Sequence, residues 1–216
     1  MNILELFAGS RSIGKQAEKL GMNVFSVDWE NYEGINLSID IEQLKKEDIP
    51  FVPDVVWASP DCTTYTIAAI STHRNRTEPK SDYAIKCDNV NQHFISLIKD
   101  WLVINPNLVF FIENPRGMLR HMSWMQEFDR HTIWYCQYGD VRAKPTDIWT
   151  NSKTWIPKPE CHNFKYDKDG NIINKHCHHE SARRGAKTGT QGKKGHYERS
   201  KIPDQLCEDV LKSCIN

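Results

Sequence analysis

Short apolar runs alternate with amphipathic stretches along the first 150 residues, and that rhythm restricts the chain to few folds. NILELF (2–7) and NVFSVD (23–28) are predicted strands, and SIGKQAEKLG between them a helix closed by Gly21. DVVWA (54–58), NLVFFI (107–112) and HTIWYC (131–136) read as further strands. CDNVNQHFISLIKDWLVI (87–104) reads as a long helix, its apolar positions three and four apart. Strand, helix, strand in this order means a parallel sheet covered by helices. Ligands of such sheets bind outside the carboxyl ends of the strands, where Phe7, Asp28, Ser59 and Glu113 fall. No internal repeat is visible.

A chain of 216 residues, 39% hydrophobic and 26% charged, is expected to build one core, or one core with a small appendage. No stretch approaches the roughly 18 to 20 apolar residues that span a bilayer, and MNILELFAGS has no signal-peptide pattern. An intracellular, cytoplasmic protein is expected. Its seven cysteines then read as reduced thiols, metal ligands or a catalytic group. The net charge of zero hides a segregation: Thr150 to Lys201 holds 12 Lys and Arg against 5 Asp and Glu, leaving 16 against 23 elsewhere. A basic segment on an acidic body suits a polyanion, and a solvated basic loop is the alternative.

Three stretches carry chemistry. FAGSRSIG places Gly9 and Gly14 at the spacing of the outer glycines of a dinucleotide turn, but Arg11 holds the position where glycine lets a pyrophosphate approach. That favours a nucleoside cofactor without pyrophosphate, such as S-adenosylmethionine, with Asp28 accepting from ribose hydroxyls; glycines serving only helix packing are the alternative. ASPDCTTYT puts Cys62 in a turn behind a strand, either as a nucleophile or as a small buried residue. Glu113 and Asn114 end the apolar strand LVFFIEN, an unusual place for a carboxylate unless it works there.

LELFAGSRSIG, SVDW, DVVWASPDCTTYT, FFIENPRG and YCQYGDVRAKPTDIWTN occur in the order of the blocks of the DNA cytosine C5-methyltransferases. The sequence resembles that family, particularly its short, phage-type members, over most of residues 3 to 150, and ERSKIPDQLCEDVL resembles its last cofactor-domain helix and lead-in. The resemblance implies an α/β, Rossmann-like methyltransferase sheet with helices on both faces. Residues 1–150 would form the S-adenosylmethionine-binding catalytic domain, 151–200 a small basic target-recognition insertion, and 201–216 a helix returning to the catalytic domain. Double-stranded DNA is the implied partner, in a bacterial host if the gene is phage-borne. Cys62 would attack cytosine C6, Glu113 with Asn114 would serve N3, and Arg142 and Lys144 would hold the loop, the base and phosphates, although their offset differs from the usual arginine pair. The cofactor would lie against Phe7, Ala8, Gly9, Ser10, Asp28 and Trp29, with Asp40 near adenine and Ser59 and Pro60 on the nucleophile's turn.

Two departures stand out. Pro115 replaces a common valine, with little consequence expected, and Asp61 replaces the proline before the nucleophile. A carboxylate about 5 Å from a thiolate opposes it by on the order of 1.7 kcal/mol at an effective dielectric of about 40. Asp61 is free to cap the next turn, or to pair with Arg142, Lys144 or Arg11. The same residues also suit a non-catalytic DNA-binding protein, or a methyltransferase acting on RNA or nucleotide cytosine.

IAAISTHRNRTEPKSDYA is long for a strand-to-helix connection, and His73, Arg74 and Arg76 are expected either to grip phosphates as a lid or to lie on an exposed polar loop. Arg183, Arg184, Lys193 and Lys194 are further phosphate candidates. Cys161, His162, Cys177 and His178, with His179 adjacent, form two clusters that suit a zinc site or a polar loop containing histidines.

Overall fold

A computed structural model describes residues 1–161, 165–166, 168–169, 172–174 and 195–215. In chain order the elements are β1 (Asn2–Leu6), α1 (Ser12–Lys19), β2 (Asn23–Asp28), β3 (Leu37–Ser38), β4 (Val55–Ala58), α2 (Ile70–His73), β5 (Arg74–Asn75), β6 (Glu78–Pro79), α3 (Asp82–Ile104), β7 (Val109–Pro115), β8 (Arg130–Trp134), β9 (Pro145–Thr150), β10 (Lys165–Tyr166), β11 (Ile172–Asn174), α4 (His196–Ser200) and α5 (Asp204–Ser213). Seven strands form one sheet in the order β3-β2-β1-β4-β7-β9-β8. The first five are parallel, and β9 runs antiparallel to both β7 and β8.

The sheet is therefore mixed, whereas the strand and helix rhythm alone implies a parallel one. Strand β9 accounts for the difference: its Pro145 and Asp147 are poor strand residues and interrupt a run that Thr146, Ile148, Trp149 and Thr150 would otherwise mark as a strand. Its inner residues Thr146 to Thr150 are nonetheless buried between two neighbours. The long helix begins earlier than its apolar period, because the Ser81 hydroxyl accepts from the Ala84 N–H and caps α3.

Strand alternation splits the core in two. Leu4, Leu6, Val56 and Ala58 pack with Phe94, Ile98 and Trp101 of α3 on one face. Ile3, Val55 and Trp57 pack on the other with Ile13 and Ala17 of α1 and Leu206, Val210 and Leu211 of α5. Helices thus cover both faces, and α5 returns from the end of the chain to lie beside α1. All the parallel strands point their carboxyl ends to one rim. Among the described residues no helix is long and apolar enough to cross a membrane.

Candidate active site

Beyond β1 the chain turns sharply, with Phe7, Gly9 and Arg11 all at positive φ near 50°. The Gly9 N–H donates to Asp28 Oδ2 at 2.8 Å and the Glu30 N–H to Oδ1 at 2.9 Å, so one carboxylate joins the ends of β1 and β2. Burial pushes Asp28 above the ordinary carboxylate range. Trp29, beside it, is 69% exposed and presents a bare indole. Among the described residues, a side chain at Gly9 would meet only Ser200 Oγ at 3.7 Å and the Phe7 carbonyl at 4.0 Å, so the turn is open to close approach. An open turn, an acceptor carboxylate and a free aromatic face fit a nucleoside. Asp40 accepts from the Glu42 N–H at 3.1 Å and from Lys86 at 2.7 Å, and the ammonium lowers its pKa. Ser10 Oγ lies 2.9 Å from Ser12 Oγ, and Ser59 Oγ accepts from the Trp57 indole at 2.7 Å.

Arg11, the residue that breaks the dinucleotide pattern, is buried. Its Nε donates to Ser26 Oγ at 3.0 Å and its Nη2 pairs with Glu18. Ser26 in turn donates to Glu5, whose other oxygen accepts the Ile13 N–H at the start of α1. Burial drives Glu5 up to about 7 despite these donors.

The loop carrying Cys62 is fastened at both ends. Asn114 Nδ2 donates to the Pro60 carbonyl at 2.9 Å, tying the turn to the end of β7. The Cys62 carbonyl accepts the N–H groups of Tyr65 and Thr66, both at 3.0 Å, and the Tyr65 carbonyl accepts the Met118 N–H at 2.7 Å. A Cβ at Gly117 would lie 2.4 Å from that carbonyl, so only glycine lets the two segments meet. Arg74 completes the fastening: its Nε donates to the Thr64 carbonyl at 2.9 Å, and its Nη atoms reach Asp88 of α3 at 3.0 and 2.6 Å. Tyr65 also donates to Asp88 at 2.6 Å, with the guanidinium 4.2 Å over its ring.

Arg74 is accordingly not a phosphate ligand. Its guanidinium is buried and its donors are spent inside the protein. Arg76, at the tip of the β5–β6 hairpin, is exposed, while His73 is held by Ser81 at 2.9 Å. Asp61 caps its own turn, accepting from the Thr63 N–H at 2.7 Å and from the Tyr83 hydroxyl, and pairs with none of Arg142, Lys144 or Arg11. Burial pushes the Cys62 thiol up to about 11; Lys144 pulls it down, and Asp61 and Glu113 add to the rise.

Glu113 is buried at the rim beside this loop. Its Oε1 accepts from the Tyr135 hydroxyl at 2.7 Å and lies 3.7 Å from Lys144 Nζ. Lys144 adopts φ +28, a strained value for a residue with a Cβ, and lies 4.3 Å over the Tyr135 ring. Arg142, 1% exposed, does not join it. Its guanidinium grips Asp140 and donates to the carbonyls of Arg199 and Lys201, each at 3.1 Å, so it ties β9's lead-in to the segment before α5.

No family model matches the sequence. Among curated proteins, the chain is 26% identical over 160 residues to "Probable DNA (cytosine-5)-methyltransferase" of Frog virus 3 (isolate Goorha), a match spanning 73% of this chain and 74% of that one. Among solved structures it resembles a "putative DNA modification methyltransferase encoded within prophage" (E. coli), with TM-score 0.51, 13% identity and coverage of 74% of this chain and 52% of that one. It resembles the Entamoeba histolytica methyltransferase EhMeth with TM-score 0.52 and 15% identity over 74% of this chain and 57% of that one. The fold is that of a methyltransferase. The chain spans a little over half the length of those two solved structures. The similarities agree with the resemblance carried by the sequence blocks.

Within this methyltransferase fold, Phe7, Ala8, Gly9, Ser10, Asp28, Trp29, Asp40, Ser59 and Pro60 lie at or just after the ends of β1 to β4, and Cys62 beyond β4 is gathered with Glu113 and Asn114 near the end of β7 and Lys144 just before β9. Tyr135, Tyr83 and Asp88 join them with no signal in the sequence. Nothing there marks Tyr135, because its meeting with Glu113 depends on β8 lying two strands from β7. Of the zinc candidates only Cys161 is described; His162, Cys177, His178 and His179, like Arg183, Arg184, Lys193 and Lys194, lie outside the described residues.

Proposed function

We propose that the chain is an S-adenosylmethionine-dependent DNA cytosine C5-methyltransferase. The observation that carries this reading is the Asn114–Pro60 hydrogen bond, which binds the Cys62 turn to the strand end bearing Glu113 and sets a thiol and a buried carboxyl at one rim. Cytosine C5 is too weak a nucleophile to be methylated directly. Addition of the Cys62 thiolate forms a bond to C6, moves the C5–C6 pair into a C4–C5 double bond and the C4–N3 pair onto N3, which takes a proton from Glu113. Lys144, 3.7 Å from Glu113, lowers the thiol's pKa and so favours the thiolate. S-adenosylmethionine, held by Asp28, Trp29 and the Gly9 turn, supplies the electrophilic methyl group. Loss of the C5 proton to solvent restores the C5–C6 double bond and returns the C6–S pair to Cys62, and N3 returns its proton to Glu113.

The target base lies inside a duplex and must be flipped out to reach this rim. Arg76 and the basic residues of the insertion supply phosphate contacts. The insertion is short, so a target of about two to four base pairs is expected. One observation favours a non-catalytic DNA-binding protein on the same fold: Asp61 adds to the burial that holds Cys62 as a thiol. Bisulfite sequencing of DNA from an expressing strain separates the two. Protected cytosines in one short motif are expected, and an unmodified genome with intact DNA binding would favour the non-catalytic protein.

A further inference from the structure

The two oxygens of Glu113 are not equivalent. Oε1 accepts the single hydroxyl hydrogen of Tyr135 at 2.7 Å and lies 3.7 Å from the Lys144 ammonium, whereas Oε2 has no hydrogen bond among the described residues. Tyr135 is fully buried, and its ring is covered by Lys144 at 4.3 Å and by Arg142 at 5.6 Å. We propose that Tyr135 is a positioning residue: it fixes Oε1 as an acceptor, so the proton Glu113 delivers to N3 of the target base is carried on Oε2 and aimed by the carboxyl's fixed orientation. This rests on the function proposed above. The phenol suits the task because burial and the neighbouring carboxyl raise its pKa well above the ordinary value, which keeps it a donor throughout the working range.

Atoms balance without further participants. The proton leaves Oε2 for N3 as sulfur bonds to C6, the resulting carboxylate keeps the Tyr135 hydrogen bond on Oε1, and the proton returns to Oε2 when the adduct collapses. Lys144 stands on the same side as Tyr135 and offsets the negative charge while it lasts. Arg142 acts at one remove, holding Asp140 and the chain before α5 against the turn that carries Tyr135.

The test is single-turnover capture of a duplex bearing 5-fluorocytosine at the target, with saturating duplex and S-adenosylmethionine. Dissociation constants for duplex and S-adenosylhomocysteine, and thermal unfolding, are measured alongside. Tyr135→Phe is expected to slow capture by about tenfold or more, short of the 10²–10⁴ attributable to a general acid itself, with both dissociation constants within about twofold of native. In a Glu113→Ala background the same substitution should cause no additional loss, because Tyr135 acts only through that carboxyl. Native-rate capture by Tyr135→Phe, or an equal loss without Glu113, would overturn the proposal. Tyr135→His, which keeps a ring N–H at this position, serves should the phenylalanine variant not fold: any slowing of capture it causes should also vanish without Glu113, and persistence there would count against the assignment. If the native chain captures nothing, the methyltransferase reading itself fails and takes this proposal with it; native capture unaffected by Tyr135 sinks the proposal alone.

Discussion

At the residue scale, Cys62 and Asp61 decide whether the rim can do covalent chemistry. Desolvation holds the thiol at about 11, and Asp61 adds to the rise although it is already bound by the Thr63 N–H and the Tyr83 hydroxyl. Below that value the thiolate fraction grows about tenfold per pH unit, so alkylation of Cys62 in the free protein should be slow near neutrality and rise steeply toward pH 11. Asp61→Asn keeps the side chain's acceptor and removes the charge. It should speed alkylation of Cys62 severalfold, up to about tenfold, at fixed pH, read by mass spectrometry of the Cys62 peptide. An unchanged rate would mean that the two donors already absorb the charge. The sequence exposes the conflict between Asp61 and Cys62 but not its resolution, because Tyr83 lies 22 positions away and reaches Asp61 only once α3 is docked.

At the scale of elements, the connection from β4 to α3 is anchored at its base, not loose throughout as a lid would be. The Arg74–Asp88 pair joins it to α3; Thr64, Thr77 and Ala84 accept further bonds from Arg74, Tyr65 donates to Asp88, and Asn91 donates to Tyr65. Removing one partner of a buried pair costs about 3 to 5 kcal/mol, whereas replacing both by apolar groups is often neutral. Arg74→Met and Asp88→Leu should each lose that order of stability in urea unfolding, and the double variant should regain most of it. If the pair serves to place Cys62, the double variant will still capture 5-fluorocytosine slowly; capture at the native rate would make the pair a fold element only. Periodicity marks α1, α3, β1, β2, β4 and β7 because each is long or bounded by a cap, turn or glycine. It misses β3, which has two residues, and β9, whose sheet position is set by pairing with β7 and β8. Arg74 misleads for a related reason: an arginine in a polar loop looks exposed until the helix carrying Asp88 is placed.

For the whole molecule, the carboxyl rim of a mixed sheet collects groups from β1, β2, β4, β7 and β9 that are up to 144 positions into the chain, and a basic segment follows directly. Neutralising Arg183, Arg184, Lys193 and Lys194 to Ala should weaken duplex binding and flatten its dependence on salt, by about 0.9 in logarithmic slope for each phosphate no longer neutralised. An unaltered slope would assign that charge to something other than DNA. The central claim is that Cys62 is the nucleophile, and trapping tests it most directly. A duplex with 5-fluorocytosine at the target cannot lose a C5 proton after methyl transfer, so the protein should remain covalently attached and run as a slower band under denaturing conditions in the presence of S-adenosylmethionine. The band should be absent from Cys62→Ala and retained by Cys136→Ala. A band that persists without Cys62 would contradict the account.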